Sequence, residues 1–293
     1  MRKLGHRVKI QQIWDGRQTD MMLALHARRS YDSIKKFATN FPRQPLFVVL
    51  TGTDLYRDIR VDSTAQESLH LATRLIVLQD MGLEELSPNL RAKTHVIYQS
   101  AKPIIPKPSL GKHFEICVIG HLREEKDPFR SALATLELPA ASKIHVTHMG
   151  RALEPGMAEE AQRMMNANPR YTWVGEKPHW RVRRQLARSH LMVVSSRMEG
   201  GANVICEALL ADVPVIASEV SGNIGMLGRN YAGYYPCGDA QRLAEQLNRA
   251  ETDPAFYALL KAQCAARKPL VQPEREKASL EKLMNEAASL LPG

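Results

Sequence analysis

Aromatic residues are scarce in this chain, at 6% of 293 residues, which leaves too few rings for a base-stacking platform. No apolar run approaches the roughly 20 residues of a membrane span. Met1-Arg2-Lys3-Leu4-Gly5-His6-Arg7 is basic but leads into a short strand pattern rather than an apolar segment. Neither a signal peptide nor membrane insertion is therefore expected. Cys117, Cys206, Cys237 and Cys264 have no C-x-x-C spacing, so no metal framework is expected, and reduced thiols point to the cytoplasm. Internal repeats and low-complexity tracts are also missing, which argues against a solenoid or a disordered chain.

Hydrophobic residues at 44% and charged residues at 24% are those of a globular protein, and the length suits two domains with a sizeable core in each. The net charge of +9 leaves nucleic acid, an anionic surface or a small anionic substrate open. The basic residues are dispersed. The densest patch, Lys177, Arg181, Arg183, Arg184 and Arg188, spaces as one solvated helix face, so no nucleic-acid partner is expected.

Two glutamates eight apart frame the segment Glu199-Gly200-Gly201-Ala202-Asn203-Val204-Ile205-Cys206-Glu207. The run His190–Ser196 before it reads as a buried strand ending in small polar residues, and Ala208–Ala211 after it continues a helix. At such a turn backbone amides point outward and the helix dipole adds positive charge, while glycines let an anion approach. A carboxylate on either side can accept from hydroxyls, and this combination suits a nucleotide-sugar. The plainer alternative is a glycine-rich turn with two solvated glutamates.

Short apolar runs alternate with amphipathic stretches along the whole chain, which predicts parallel sheets with helices on both faces. Strands are expected at Val8–Ile13, Met21–Leu25, Leu46–Leu50, Leu75–Leu78 and His95–Tyr98, with helices at Tyr31–Phe37 and Ser63–Ala72. Lys102–Ser109 contains three prolines and reads as an extended linker. Beyond it, strands are expected at Phe114–Ile119, Lys143–His148, Tyr171–Val174, His190–Val194 and Val213–Ala217. Helices are expected near Phe129–Leu136, Pro155–Ala167, Trp180–Ala187, Asn203–Leu210 and Asp239–Asn248. The fold class is thus α/β, with two Rossmann-like doubly wound domains facing a cleft. Residues 1–108 and 109–272 form the domains, and a helical stretch over 273–293 could pack back across the junction. Leu4-Gly5-His6-Arg7-Val8 reads as a helix end, a glycine cap and a strand. The first domain is therefore expected to be truncated, lacking its central strand and leaving a gap between two others.

At the first strand end of the second domain stands Gly120-His121-Leu122-Arg123-Glu124-Glu125-Lys126. A lysine there could neutralise a leaving diphosphate; alone, the segment could equally be a polar loop. Together with Val174-Gly175, Ser196-Arg197-Met198-Glu199-Gly200, the glutamate pair and Ala211-Asp212-Val213-Pro214-Val215-Ile216-Ala217, it resembles the retaining GT-B glycosyltransferases of the GT4 type. His121 stands where that family usually has arginine, and Asp212 where it often has glycine. The resemblance implies donor binding by Gly120, His121, Lys126, Val174, Gly175, Glu199, Gly200, Gly201, Ala202, Asn203 and Glu207. No D-x-D occurs in the chain, which fits diphosphate neutralisation by Lys126 and a helix terminus without a metal or other cofactor.

Leu50–Asp58, Gly120–Pro128 and Ser221–Gly228 also resemble the selenosugar synthases of selenoneine biosynthesis. That resemblance implies UDP-N-acetylglucosamine or UDP-glucose as donor and selenophosphate as acceptor. The acceptor side would fall to the first domain, at His26, Arg28, Arg29, Thr51, Gly52, Thr53 and Asp54, where arginines and a threonine-glycine turn suit a dianion. Catalytic roles would go to Glu199, Lys126 and His26. Asp54 could instead cap the following turn. A saccharide or lipid acceptor, or a non-catalytic nucleotide-sugar binder, remain the alternatives.

Overall fold

The computed structural model describes residues 1–107 and 111–288. They fall into two units. One comprises residues 1–100, 199–201 and 272 onward; the other comprises 101–198 and 202–271.

The first unit carries a four-stranded parallel sheet of β1 (Met22–Leu25), β2 (Leu46–Leu50), β3 (Arg74–Val77) and β4 (Thr94–Val96), in that spatial order. Each strand simply adds to the outer side of its predecessor. All five residues of β2 are buried, as expected of a strand covered on both faces. On one face Met22, Ala24, Leu46, Val48, Leu50, Leu75 and Val77 pack with Ile34 and Phe37 of helix Tyr31–Asn40 and with Ala65 and Leu69 of helix Ser63–Leu71. On the other, Phe47, Val49, Ile76, Leu78 and Ile97 meet Leu283 and Ala287 of helix Pro273–Ala288. Residues 289–293, the end of the predicted C-terminal stretch, lie outside the described residues.

Two expectations about the start of the chain do not hold. Val8–Ile13 is not a strand, and Ile10 and Ile13 are 82% and 73% exposed. No layer covers them, so an alternating pattern alone finds nothing to pair with. The expected gap is also absent, because neighbouring strands from β1 to β4 are hydrogen-bonded throughout. The sheet grows in one direction, with β1 at its edge. Gly5 does cap a short turn, Arg2–Leu4, in the left-handed conformation at φ 86°. The irregular stretch after it is pinned by Trp14, whose ring makes edge contacts with Phe37 and Phe41 at 5.5 and 5.9 Å.

The second unit carries six parallel strands: β5 (Phe114–Ile119), β6 (Ile144–Met149), β7 (Tyr171–Trp173), β8 (Leu191–Val194), β9 (Val215–Ser218) and β10 (Tyr234–Tyr235). Their spatial order is β10-β9-β8-β5-β6-β7, the doubly wound order with its reversal between β5 and β8. β8 and β9 are buried along their whole lengths. Helices Arg130–Leu136, Met157–Ala167, His179–Leu186, Asn203–Leu210, Ser221–Leu227, Ala240–Thr252 and Pro254–Arg267 surround the sheet. Residues 101–107 contain no helix or strand. They lie along this unit, where the Lys107 amide donates to Ala187 O at 2.8 Å and the Arg183 guanidinium donates to the carbonyls of Lys102 and Pro103. Pro108 and Ser109 of the predicted linker lie outside the described residues.

Candidate active site

At the carboxyl end of β5 in the second unit, the Gly120 amide donates to Met149 O at 3.0 Å and the Leu122 amide to Arg151 O at 2.9 Å. The turn therefore lies against the residues that follow β6. Gly150 is the only residue type that fits there, since an added Cβ would sit 1.8 Å from Gly120 O. The His121 ring is exposed, and its Nδ1 accepts from the Arg151 amide at 3.0 Å. In the neutral ring that leaves Nε2–H as the free donor. A short turn, Glu124–Lys126, ends on Asp127, which adopts the left-handed conformation at φ 44°.

The loops after β5 and β8 meet at Ser195, whose hydroxyl donates to Lys126 O at 3.0 Å and Asp127 O at 2.9 Å. Asp127 also binds Arg130 Nε at 2.9 Å and lies 3.7 Å from Arg197. Two further cations that the sequence reading did not assign, Arg130 and Arg197, thus gather on the residue after Lys126. Arg197 sits inside the Ser196–Gly200 motif, so its position was the available signal. Gly175, left-handed at φ 70°, accepts the Gly150 amide at 3.0 Å, and the Val174 amide donates to His148 O at 3.0 Å.

Helix Asn203–Leu210 starts without a side-chain cap on Ala202, so its first amides have no hydroxyl or carboxylate partner from that position. Glu207 lies about one turn inside and is buried, at 5% exposure. Its Oε1 accepts from His179 Nε2 at 2.7 Å. His179 is the first residue of helix His179–Leu186 and its side chain is 70% exposed. Nothing in the sequence spacing links positions 179 and 207; only the fold brings them together.

Glu199, Gly200 and Gly201 count with the first unit. A Cβ on Gly200 would lie 2.0 Å from Thr51 O, and one on Gly201 would lie 2.6 Å from Leu78 Cβ. Both glycines are therefore required by close approach, in addition to any role toward an anion. Glu199 is 8% exposed.

The remaining predicted residues of the first unit gather at the carboxyl ends of β1 and β2. His26 is buried and left-handed at φ 76°, a conformation costly for a residue with a Cβ. Its Nδ1 accepts from the Arg29 amide at 3.3 Å, so Nε2–H donates to Thr53 Oγ1 at 3.0 Å. Asp54 Oδ2 and Asp58 Oδ2 lie 3.8 Å from the ring nitrogens. Burial pushes the pKa of His26 down, against the raising influence of Asp54. Arg28 is held by Asp58 at 2.8 Å, whereas Arg29 is exposed.

Asp54 is engaged by the backbone around it. It is fully buried and accepts from the amides of Ala27 at 2.9 Å, Thr51 at 2.8 Å and Gly52 at 2.9 Å, and from the Thr51 hydroxyl at 3.3 Å. Three of these bonds fall on Oδ1 and one on Oδ2, and together they clasp the ends of β1 and β2. Asp58, which the sequence reading did not assign, is a second carboxylate beside His26, at the same 3.8 Å as Asp54. Burial raises the pKa of Asp58, but hydrogen bonds from Arg28 and Arg57 outweigh that and hold it below the ordinary value. Its position four residues after Asp54, on one face of a helical turn, was the signal available. Among the described residues no group of three or more His, Cys, Asp or Glu side chains is placed to hold a metal.

The family model for glycosyl transferases group 1 matches residues 102–267. The chain belongs to that family. Among curated proteins, this group 1 glycosyltransferase is similar to glycosyltransferase 1 domain-containing protein 1 of Xenopus tropicalis, with 22% identity over 65% of this chain and 61% of that protein. The chain thus spans about three fifths of that relative's length. Among solved structures it is similar to Anabaena Alr3699/HepE in complex with UDP-glucose, with TM-score 0.73, 17% identity and coverage of 91% of this chain and 79% of that one. It is also similar to the sucrose-phosphate synthase of Thermosynechococcus elongatus, with TM-score 0.72, 18% identity and coverage of 92% and 74%. The fold is accordingly GT-B. Every residue assigned to the donor lies inside the matched segment 102–267, and every residue assigned to the acceptor lies outside it.

Proposed function

We propose that this group 1 glycosyltransferase is of the GT4 type and moves a sugar from a UDP-sugar, UDP-N-acetylglucosamine or UDP-glucose, to selenophosphate. In that reaction the bond from the sugar's anomeric carbon to the UDP oxygen breaks and a carbon–selenium bond forms. UDP leaves, and hydrolysis of the phosphorus–selenium bond gives phosphate and the selenosugar. Glu207 accepts from the ribose hydroxyls and Glu199 from the sugar. The Gly120–His121 turn and the amides at Ala202 and Asn203 receive the diphosphate. Lys126 stabilises charge that grows there as the bond breaks. His26, Arg29 and the Thr51–Thr53 turn receive the anionic acceptor.

The observation that carries the donor reading is the buried Glu207 on a helix whose open start follows a double glycine. It is supported by the UDP-glucose complex of the similar Anabaena fold. The acceptor reading rests on the resemblance and on the cationic and histidine cluster at the first unit's strand ends. The three cysteines that are buried and the one exposed are all unpaired, in keeping with a cytoplasmic setting.

The decisive measurement is UDP release from several UDP-sugars, with and without selenophosphate. Release that depends on selenophosphate is expected. Release driven instead by a saccharide or lipid would replace this acceptor with the alternative one. Binding of UDP without any release would make the chain a nucleotide-sugar binder.

A further inference from the structure

His148 lies in β6 and is 1% exposed, yet both its ring nitrogens are engaged. Its Nε2 is 3.0 Å from Gly120 O, and its Nδ1 is 2.8 Å from the Tyr171 hydroxyl. A carbonyl only accepts, so Nε2 carries the proton, and Nδ1 must accept from Tyr171. Burial keeps this ring neutral, pushing its pKa down to about 4, and it also pushes the Tyr171 hydroxyl upward, so that Tyr171 stays a donor. The chain of donors therefore runs in one direction, from Tyr171 through His148 to Gly120.

The Gly120 carbonyl belongs to the same peptide plane as the His121 amide. In a trans peptide the two point in opposite directions, and the chain has no cis bonds. Fixing the carbonyl toward β6 thus fixes the His121 N–H away from β6. The turn has little other freedom. Its Gly120 amide is tied to Met149 O, its His121 ring to the Arg151 amide, and Gly150 leaves no clearance beneath Gly120 O. The His121 amide itself has no partner among the described residues.

We infer that His148 is a positioning residue for the donor's diphosphate: by holding the Gly120 carbonyl inward, it aims the His121 amide at the phosphates. This rests on the reading that the Gly120 turn receives that diphosphate. His148 touches no substrate and acts only through one peptide plane. Tyr171 supports it by selecting the tautomer.

The test compares UDP with uridine by isothermal titration on the full chain. In His148→Leu, UDP should bind about 3- to 10-fold more weakly, the loss of one well-placed hydrogen bond, while uridine affinity stays within about twofold. His148→Gln, which can donate to Gly120 and accept from Tyr171, should recover most of the UDP affinity. Tyr171→Phe keeps the ring volume and should give a smaller loss of the same kind; it carries the test if His148→Leu does not fold. Equal losses for UDP and uridine, or none for UDP, would overturn the inference and leave His148 a packing residue. A parent chain that binds UDP no more tightly than uridine would remove the diphosphate reading itself, a separate outcome.

Discussion

The two sheets are both parallel and both flanked by helices, but they differ in how their strands are ordered. In the first, order follows sequence, β1-β2-β3-β4; in the second it reverses between β5 and β8. At a reversal the connections leave the strand ends in opposite directions, and the carboxyl ends stay open to a ligand. The loops that end there, after β5 and β8, carry Gly120, His121, Lys126, Ser195 and Arg197. In the first unit Asp54 ties the end of β1 to the turn after β2 with three backbone hydrogen bonds. One unit gathers the loops assigned to the sugar donor at its strand ends, whereas the other uses an acid to hold its strand ends together.

The largest effect that would sharpen this contrast is expected from Asp54→Ala. It leaves the amides of Ala27, Thr51 and Gly52 without their acceptor, at about 1–3 kcal/mol per buried group and about 3–5 kcal/mol in total. Chemical denaturation should show the loss, with UDP affinity retained; a parallel loss of UDP binding would break the division of labour. Acid should act on the other unit through His148. The pKa of His148 falls from 6.5 to about 4 on folding, so the unfolded chain binds its proton first. The stability it contributes is complete above pH ~6.5 and is lost as pH falls toward ~4, by up to about 3 kcal/mol. His148→Gln should flatten that part of the stability–pH curve, and an unchanged curve would count against a neutral buried ring.

Glu207→Ala should weaken UDP binding roughly 10- to 100-fold, from the loss of charge-assisted hydrogen bonds. The first unit's denaturation profile should not move. Unchanged affinity would refute the ribose assignment. Arg28→Ala is expected to be the mildest change. Its guanidinium is 40% exposed and Arg57 also reaches Asp58, so the stability loss should stay within about 1 kcal/mol.

What the sequence made legible follows the same contrast. Apolar runs such as Leu46–Leu50 and Leu191–Val194 announced buried parallel strands, because covered strands have no polar face to interrupt them. The glycine pair at 200–201 was readable because close approach forces that residue type. Val8–Ile13 misled because alternation measures only the capacity to pair. Helices Ser221–Leu227 and Pro254–Arg267 went unassigned. The first holds two glycines, at 222 and 225, and the second is signalled mainly by its cap, where Asp253 accepts from Ala255 and Phe256 at 3.0 and 3.1 Å. The links His179–Glu207, His148–Gly120 and Asp58–His26 join residues 28, 28 and 32 positions apart. No local pattern encodes such pairs; they exist only once the strands are in register.

Helix Pro273–Ala288 completes the apolar layer of Phe47, Val49, Ile76, Leu78 and Ile97. That builds one core from segments far apart in the sequence, 47–97 and 283–287. During synthesis the six strands of the second unit are all made before Leu283 and Ala287 exist. The unit that begins the chain is therefore the last to finish, its sheet waiting half-clothed while the later-made one matures.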